Sequence, residues 1–239
     1  MHMKELGNRL QKIVDFVNPD QNVADIGCDH AYVSIALAKE KNCKGIAMDI
    51  NEGPLSIAGE NIREAGLEEQ VKTRLSDGLS ELSAGEADAV VITGMGGHLI
   101  TDILKAGEDK LRPGMQLVLS PQSDLRLVRY SLKKQNIFIE REDCLNEGGK
   151  WYFILDCKVG MNLPLPVSEE EAKKDMAYGK YLPTHPTEEF KAYLDWEAKG
   201  FEVLIKDLQK QRTPAAHARQ GSIKKQLEDN RRLAESISW

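Results

Sequence analysis

The run Val23-Ala24-Asp25-Ile26-Gly27-Cys28-Asp29-His30-Ala31-Tyr32 constrains the fold more than any other stretch: an apolar segment ends in an acid and a glycine immediately before a helical pattern. A strand that stops at a small residue and passes straight into a helix aims exposed backbone N–H groups, and the positive end of the helix dipole, beyond the sheet edge. The same punctuation returns along the chain. Residues 43–50 read as a second strand closing on Asp49 and Ile50, and Gly53-Pro54 then opens a helix with Ile57, Ala58, Ile62 and Ala65. Val71–Leu75 runs into Ser76-Asp77-Gly78, residues 87–93 stop in Gly94-Met95-Gly96-Gly97, and residues 115–120 lead through Pro121-Gln122-Ser123-Asp124 to a helix over 125–134. Strand then helix, repeated, predicts an α/β fold with a parallel sheet covered on both faces. Small-residue loops at successive strand ends form one crevice along its carboxyl edge, where open α/β sheets bind ligands.

The residues also narrow the ligand. A dinucleotide fingerprint wants glycines where this chain has Gly27, Asp29 and Ala31, so two of three are missing. An aspartate at the second position sets a negative charge against a pyrophosphate; S-adenosylmethionine, a sulfonium cation without phosphate, meets no such objection. Asp49, about 20 residues beyond the loop, suits ribose hydroxyls, and Asp77 suits the exocyclic amine of an adenine. The predicted cofactor set is Asp25, Gly27, Cys28, Asp29 and His30 on the first loop, Asp49 and Ile50 on the second, Asp77 and Gly78 on the third, and Gly94, Met95 and Gly96 on the fourth. Taken alone, the first loop also fits an ordinary strand-to-helix turn.

The parallel rhythm then changes. Residues 136–140 and 151–157 are two strands with Glu147-Gly148-Gly149 between them and no helix, predicting an antiparallel hairpin at the sheet edge. Prolines at 164 and 166 mark a boundary, dividing the chain into a ligand-binding domain over 1–160 and a helical domain over 161–239. Ser168 and Glu171 form a capping box. Thr187 caps a long amphipathic helix, and Thr213-Pro214 opens a second one. The pair is a hairpin of coiled-coil type that clamps a substrate or dimerises.

The four cysteines form no C-x-x-C pair, which indicates neither a metal site nor a disulfide framework and fits a reduced cytoplasmic setting. No apolar run approaches the roughly 18 residues that span a bilayer, and the N-terminus has no signal-peptide pattern. Residues 1–160 carry the entire net charge of −6, but from residue 203 onward eight basic side chains face four acidic ones. Lys224, Lys225, Arg231 and Arg232 are the candidate RNA contacts; a solvated helix face is the alternative.

Asp-Ile-Gly-Cys-Asp-His-Ala-Tyr at 25–32, Gly53-Pro54, Ser-Asp-Gly at 76–78, Gly-Met-Gly-Gly-His-Leu-Ile at 94–100 and Glu-x-Gly-Lys before an aromatic strand together resemble the bacterial tRNA (adenine-22, N1)-methyltransferases, over the whole chain. The resemblance implies a Rossmann-like class I methyltransferase sheet with a C-terminal helical hairpin, S-adenosylmethionine as donor, and N1 methylation of an adenine in the D-arm region of tRNA. The loop Pro121-Gln122-Ser123-Asp124 departs from the Gln-Pro-Asn pattern that the resemblance implies there. Enzymes that methylate the exocyclic amine often carry Asn/Asp-Pro-Pro-aromatic after the fourth strand, where this chain has Gly94-Met95-Gly96-Gly97. The base must then be met by neighbours, and Asp29, His30 and Tyr32 are the candidate catalytic side chains. Asp29 alternatively caps the next helix, His30 alternatively bonds a carbonyl, and Tyr32 alternatively belongs to the core. A nicotinamide-dependent oxidoreductase and a non-catalytic RNA-binding scaffold are the competing functions.

Overall fold

The computed structural model describes residues 6–161, 176–211 and 213–238. One seven-stranded sheet organises them: β1 (Asn22–Ile26), β2 (Lys44–Asp49), β3 (Val71–Leu75), β4 (Ala89–Thr93), β5 (Gln116–Ser120), β6 (Ile137–Glu147) and β7 (Lys150–Val159), in the order β3-β2-β1-β4-β5-β7-β6. Strands β1 to β5 are parallel, β7 is antiparallel to β5, and β6 is the antiparallel outer strand. The predicted architecture is therefore present. Its strand order reverses between β1 and β4, the switch point at which such sheets open a crevice.

Side chains alternate across β1, β4 and β5 with the period of two that a pleated strand imposes. Ala24, Ile26, Val90, Ile92, Leu117 and Leu119 face one side, where Ile100, Ile103 and Leu104 of α4 (Gly97–Ala106) and Val128 and Leu132 of α5 (Leu125–Lys134) cover them. Val23, Ala89, Val91 and Val118 face the other, against Ile13 and Val14 of α1 (Asn8–Phe16) and Val33 and Leu37 of α2 (Tyr32–Lys41). The third helix, α3 (Glu52–Glu64), packs Leu55, Ala58 and Ile62 against Ala47 and Val71.

Strands β6 and β7 run longer than the sequence suggests. The extension through Arg141-Glu142-Asp143 looks too polar for a strand, but each charge has a partner from another element: Asp156 for Arg141, Arg129 for Glu142 and Lys12 for Asp143. The Arg129–Glu142 pair is 4% and 0% exposed at its side chains, and Arg129 also donates to the carbonyls of Met176 and Ala177.

Beyond a short helix α6 (Tyr181–Thr184) come α7 (Glu188–Gln209) and α8 (Pro214–Ser236), an antiparallel pair. Both predicted caps are formed, Thr187 Oγ1 accepting from the Phe190 amide and Thr213 Oγ1 from the Ala216 amide, each at 3.1 Å. The capping box at Ser168 lies outside the described residues. The base of the hairpin shares a core with the sheet: Phe190, Leu194 and Ile237 pack with Cys144 and Phe153. At the joint the Glu197 carboxylate accepts from Tyr178 Oη, Tyr193 Oη and Asn230 Nδ2 at 2.6, 2.8 and 2.9 Å. Among the described residues, no helix is long and apolar enough to cross a membrane.

Candidate active site

The carboxyl ends of β1, β2 and β4 and the loop after β3 converge on a cavity of about 510 Å³, a volume typical of small-molecule sites. Its floor is the β1–α2 loop. Gly27 has φ +69, a backbone conformation that side chains rarely adopt, and a Cβ there would also displace the Met95 methyl group that covers it from the β4 loop. The Gly27 and Cys28 amides both donate to the Met48 carbonyl at 2.8 and 3.0 Å, tying this loop to β2. Asp29 and Ala31 hold left-handed conformations, φ 51 and 59, which turn the chain into α2.

Of the twelve predicted cofactor residues, eleven line this cavity; Gly96 does not. Gly96 is instead the N-cap of α4, and its side-chain direction faces Ser123 Oγ, beneath the 121–124 loop. Asp25 is 2% exposed, and its carboxylate accepts from Ser34 Oγ at 2.7 Å. It thereby fastens β1 to α2. Burial raises its pKa to about 6, against the opposing Ser34 bond, with a further contribution from nearby Asp49. Burial likewise pushes the Cys28 thiol well above its ordinary range, so it stays protonated.

Asp49 Oδ1 accepts from the Asn51 amide at 2.9 Å, an Asx-type turn that orients the carboxylate at the end of β2. The loop bearing Asp77 and Gly78 is held by Ser76 Oγ, which donates to the Gly78 carbonyl at 2.9 Å, and by the two-pronged Arg74–Glu86 pair at 2.7 and 2.6 Å. Arg74 lowers Glu86 to about 2.

The three catalytic candidates stand together on the wall. Asp29 Oδ1 lies 3.4 Å from His30 Nε2, and the His30 and Tyr32 rings stack at 5.6 Å. Each alternative reading fails. Ala31, not Asp29, is the N-cap residue of α2, and no side chain caps it. His30 Nδ1 is buried without a hydrogen-bond partner, and Tyr32 is 38% exposed.

Residues that the sequence pattern does not single out also line the cavity: Arg9 and Leu10 of α1, Asn51, Ser76, Thr93 and Gln122. Gln122 explains the departing 121–124 loop. Its amide donates to the Met95 carbonyl at 2.8 Å, so this loop braces the β4 loop from above. Gly97 must be glycine for the same reason, since a Cβ there would sit 2.7 Å from the Ser123 carbonyl oxygen.

A donor of the predicted kind fits these features: a glycine floor that a ligand can approach closely, a turn-oriented acid at the β2 end, and the carboxylates of Asp29, Asp49 and Asp77 along the lining, with Asp25 buried beneath the loop. A family model described as a methyltransferase domain matches residues 6–155. The tRNA (adenine(22)-N(1))-methyltransferase of Bacillus subtilis (strain 168) is 37% identical over 161 residues, 67% of this chain and 68% of that protein. The chain belongs to the tRNA (adenine(22)-N(1))-methyltransferase family. The crystal structure of the B. subtilis m1A22 tRNA methyltransferase superposes with a TM-score of 0.82 at 27% identity, covering 96% of this chain and 99% of that one. A Streptococcus pneumoniae structure in complex with S-adenosyl-L-methionine gives 0.76 at 29% identity, covering 93% and 99%.

Like the fold, the helical hairpin is thus within the superposed length of this methyltransferase family. The four candidate RNA contacts fall on α8, and all are exposed. They are not equivalent. Arg231 is paired with Glu202 of α7 at 2.6 Å and Arg232 with Glu228 at 2.8 Å. Among the described residues, no group of three or more His, Cys, Asp or Glu is placed to hold a metal ion.

Proposed function

We propose that this chain methylates N1 of adenine 22 in tRNA, with S-adenosylmethionine as donor. The observation that carries this reading is the strand-end cavity, in which Asp29, Asp49 and Asp77 surround the glycine floor while His30 and Tyr32 stand at its wall. When bound, the donor supplies a methyl carbon activated by positive sulfur. The protein's task is alignment and exclusion of water.

Asp49 accepts from the ribose hydroxyls, and Asp77 faces the adenine of the donor. Gly94 and Met95 close the cavity beneath the incoming base. Because pairing and stacking hide N1, the target adenine reaches the site flipped out of its arm, and the half-exposed Tyr32 ring is placed to meet its face. Asp29 accepts from the exocyclic amine and offsets the positive charge left on the methylated base. N1 attacks through a lone pair, so His30 orients Asp29 and the base without first taking a proton.

In the same reading the chain divides at residue 160 into donor-binding and tRNA-gripping parts. Lys224 and Lys225 meet phosphates, and the reaction runs in the cytoplasm, where the four buried free thiols stay reduced. Mass spectrometry of unmodified tRNA incubated with the protein and donor tests the reading. A 1-methyladenine at position 22 supports it; methylation at another atom or position, or none, overturns it.

A further inference from the structure

The loop Pro121-Gln122-Ser123-Asp124 leaves one side chain with its hydrogen-bonding capacity unspent. Pro121 is buried, and Ser123 Oγ donates to Asp124 Oδ2 at 2.7 Å. Gln122 is exposed and lines the cavity, with its backbone amide tied to the Met95 carbonyl. Its Nε2 stands 3.8 Å from the position that a Cβ on Gly94 would take, so the side chain folds back over the β4 loop. Among the described residues that line the cavity, the other carboxamide is Asn51, whose Nδ2 donates to Asp49 Oδ1 at 3.4 Å. The Gln122 carboxamide has no hydrogen-bond partner among the described residues, which leaves a donor and an acceptor for a ligand.

Its position selects the ligand. Across the cavity the strand order is β2-β1-β4-β5, with Asp49 at the end of β2 and Gln122 just after β5. A donor whose ribose is at Asp49 leaves the β4–β5 side to the methyl acceptor. That acceptor is an adenine attacking through N1, so its Watson–Crick edge is turned to the donor methyl group and to Asp29, and the edge that carries N7 is left. There adenine shows an acceptor, N7, beside the second hydrogen of its N6 amine, and a carboxamide meets both at once. Guanine shows two acceptors on the same edge, N7 and O6, which a group with one donor side and one acceptor side cannot pair with together.

We propose that Gln122 is the residue that distinguishes adenine from guanine in the methyl acceptor, its Nε2 donating to N7 and its Oε1 accepting from the N6 amine. The assignment rests on the methyl-transfer reading and deepens it: Asp29 and Gln122 take the two hydrogens of one amine from opposite sides, which sets the plane of the base and aims N1 at the methyl carbon.

Initial rates on tRNA carrying adenine or 7-deazaadenine at position 22, for the full chain and for Gln122→Met, test this. The two bases differ at N7, where a C–H group replaces the acceptor, and methionine keeps the length of the glutamine stem without its hydrogen bonds. The 7-deaza base should lower kcat/KM of the parent about 10-fold, and Gln122→Met should lower it about 10- to 100-fold on adenine, as loss of a bidentate base contact does. On 7-deazaadenine the variant should fall no further, and its calorimetric affinity for S-adenosylmethionine should be parental. A parent indifferent to 7-deazaadenine, or an equal penalty in parent and variant, means that Gln122 does not read N7 and overturns the assignment. Lost donor affinity in the variant makes Gln122 a donor contact and overturns it too. If the parent makes no 1-methyladenine on ordinary tRNA, the methyl-transfer reading falls and the assignment with it, a result that the other outcomes cannot produce.

Discussion

Asp49 has one carboxylate oxygen committed to the Asn51 amide, which leaves the other for ribose hydroxyls. Asp49→Ala should weaken S-adenosylmethionine binding by about 1.5–3 kcal/mol, the range for a hydrogen bond to a charged group; calorimetry showing unchanged affinity removes Asp49 from the site. Asp25 acts differently because it is sealed beneath the loop. Burial raises its pKa from 3.8 to about 6, so the folded state keeps a proton that the unfolded chain has already lost. Between those values Asp25 makes stability fall as pH rises. Asp25→Asn should remove that contribution, and denaturant midpoints measured from pH 4 to 6 should decline less steeply than for the parent; parallel profiles would show that Asp25 ionises freely. Asp29 and His30 separate charge from proton transfer. His30→Ala should lower kcat by less than the 10²-fold or more, roughly, that loss of a general acid–base group costs, and Asp29→Ala should lower it further, with donor affinity measured alongside in both. Abolished turnover in His30→Ala with donor and tRNA binding intact would make His30 the base.

At the scale of elements, the joint between sheet and hairpin depends on a buried ion pair. Arg129 of α5 bonds Glu142 of β6 through Nε and Nη2 at 3.0 and 2.8 Å and reaches the Ala177 carbonyl at 2.7 Å. Removing one partner strands the other charge, so Glu142→Leu and Arg129→Met should each destabilise the protein by about 3–5 kcal/mol, whereas the two changes together should lose less than either alone. Thermal unfolding of the three variants checks this, and additive losses would argue against a coupled pair. The same pair shows where a local pattern stops being informative. Strands β1, β2, β4 and β5 are legible in the sequence because each is a largely apolar run that stops at an acid, a glycine or a proline, and β3, Val-Lys-Thr-Arg-Leu, is legible from the Ser-Asp-Gly turn after it; a local pattern reports local structure. The caps at Thr187 and Thr213 are legible for the same reason. The polar half of β6 is not, because Arg141, Glu142 and Asp143 become strand residues only through partners 15, 13 and 131 positions away. Arg9 lines the cavity only because α1 packs beside the β1 loop, which nothing nearby in sequence shows. Gly96 reads as a cavity residue because Gly94 and Gly96 look alike in sequence, whereas only Gly94 has positive φ and Gly96 is the N-cap of α4.

Across the whole molecule, a chain of net charge −6 has to hold a polyanion, and its donor cavity is lined by aspartates. Phosphates must therefore be met away from the cavity, and the exposed basic face of α8 is where the sequence concentrates positive charge. Arg231 and Arg232 already face Glu202 and Glu228, so part of their charge is offset within the hairpin. Lys224 and Lys225 are exposed and should carry more of the phosphate attraction. Reversing both lysines to glutamate should weaken tRNA binding and make its dependence on salt shallower, by about 0.7–0.9 in log–log slope for each phosphate that is no longer neutralised. Reversing the two arginines should change the slope less. Because the cavity lies on the sheet and not on the hairpin, calorimetric affinity for S-adenosylmethionine should not change in either variant. A parental salt slope in the lysine variant would remove α8 from the tRNA interface and leave the hairpin a structural element; a shallower slope with intact donor binding would place recognition of the tRNA backbone there, physically apart from the chemistry.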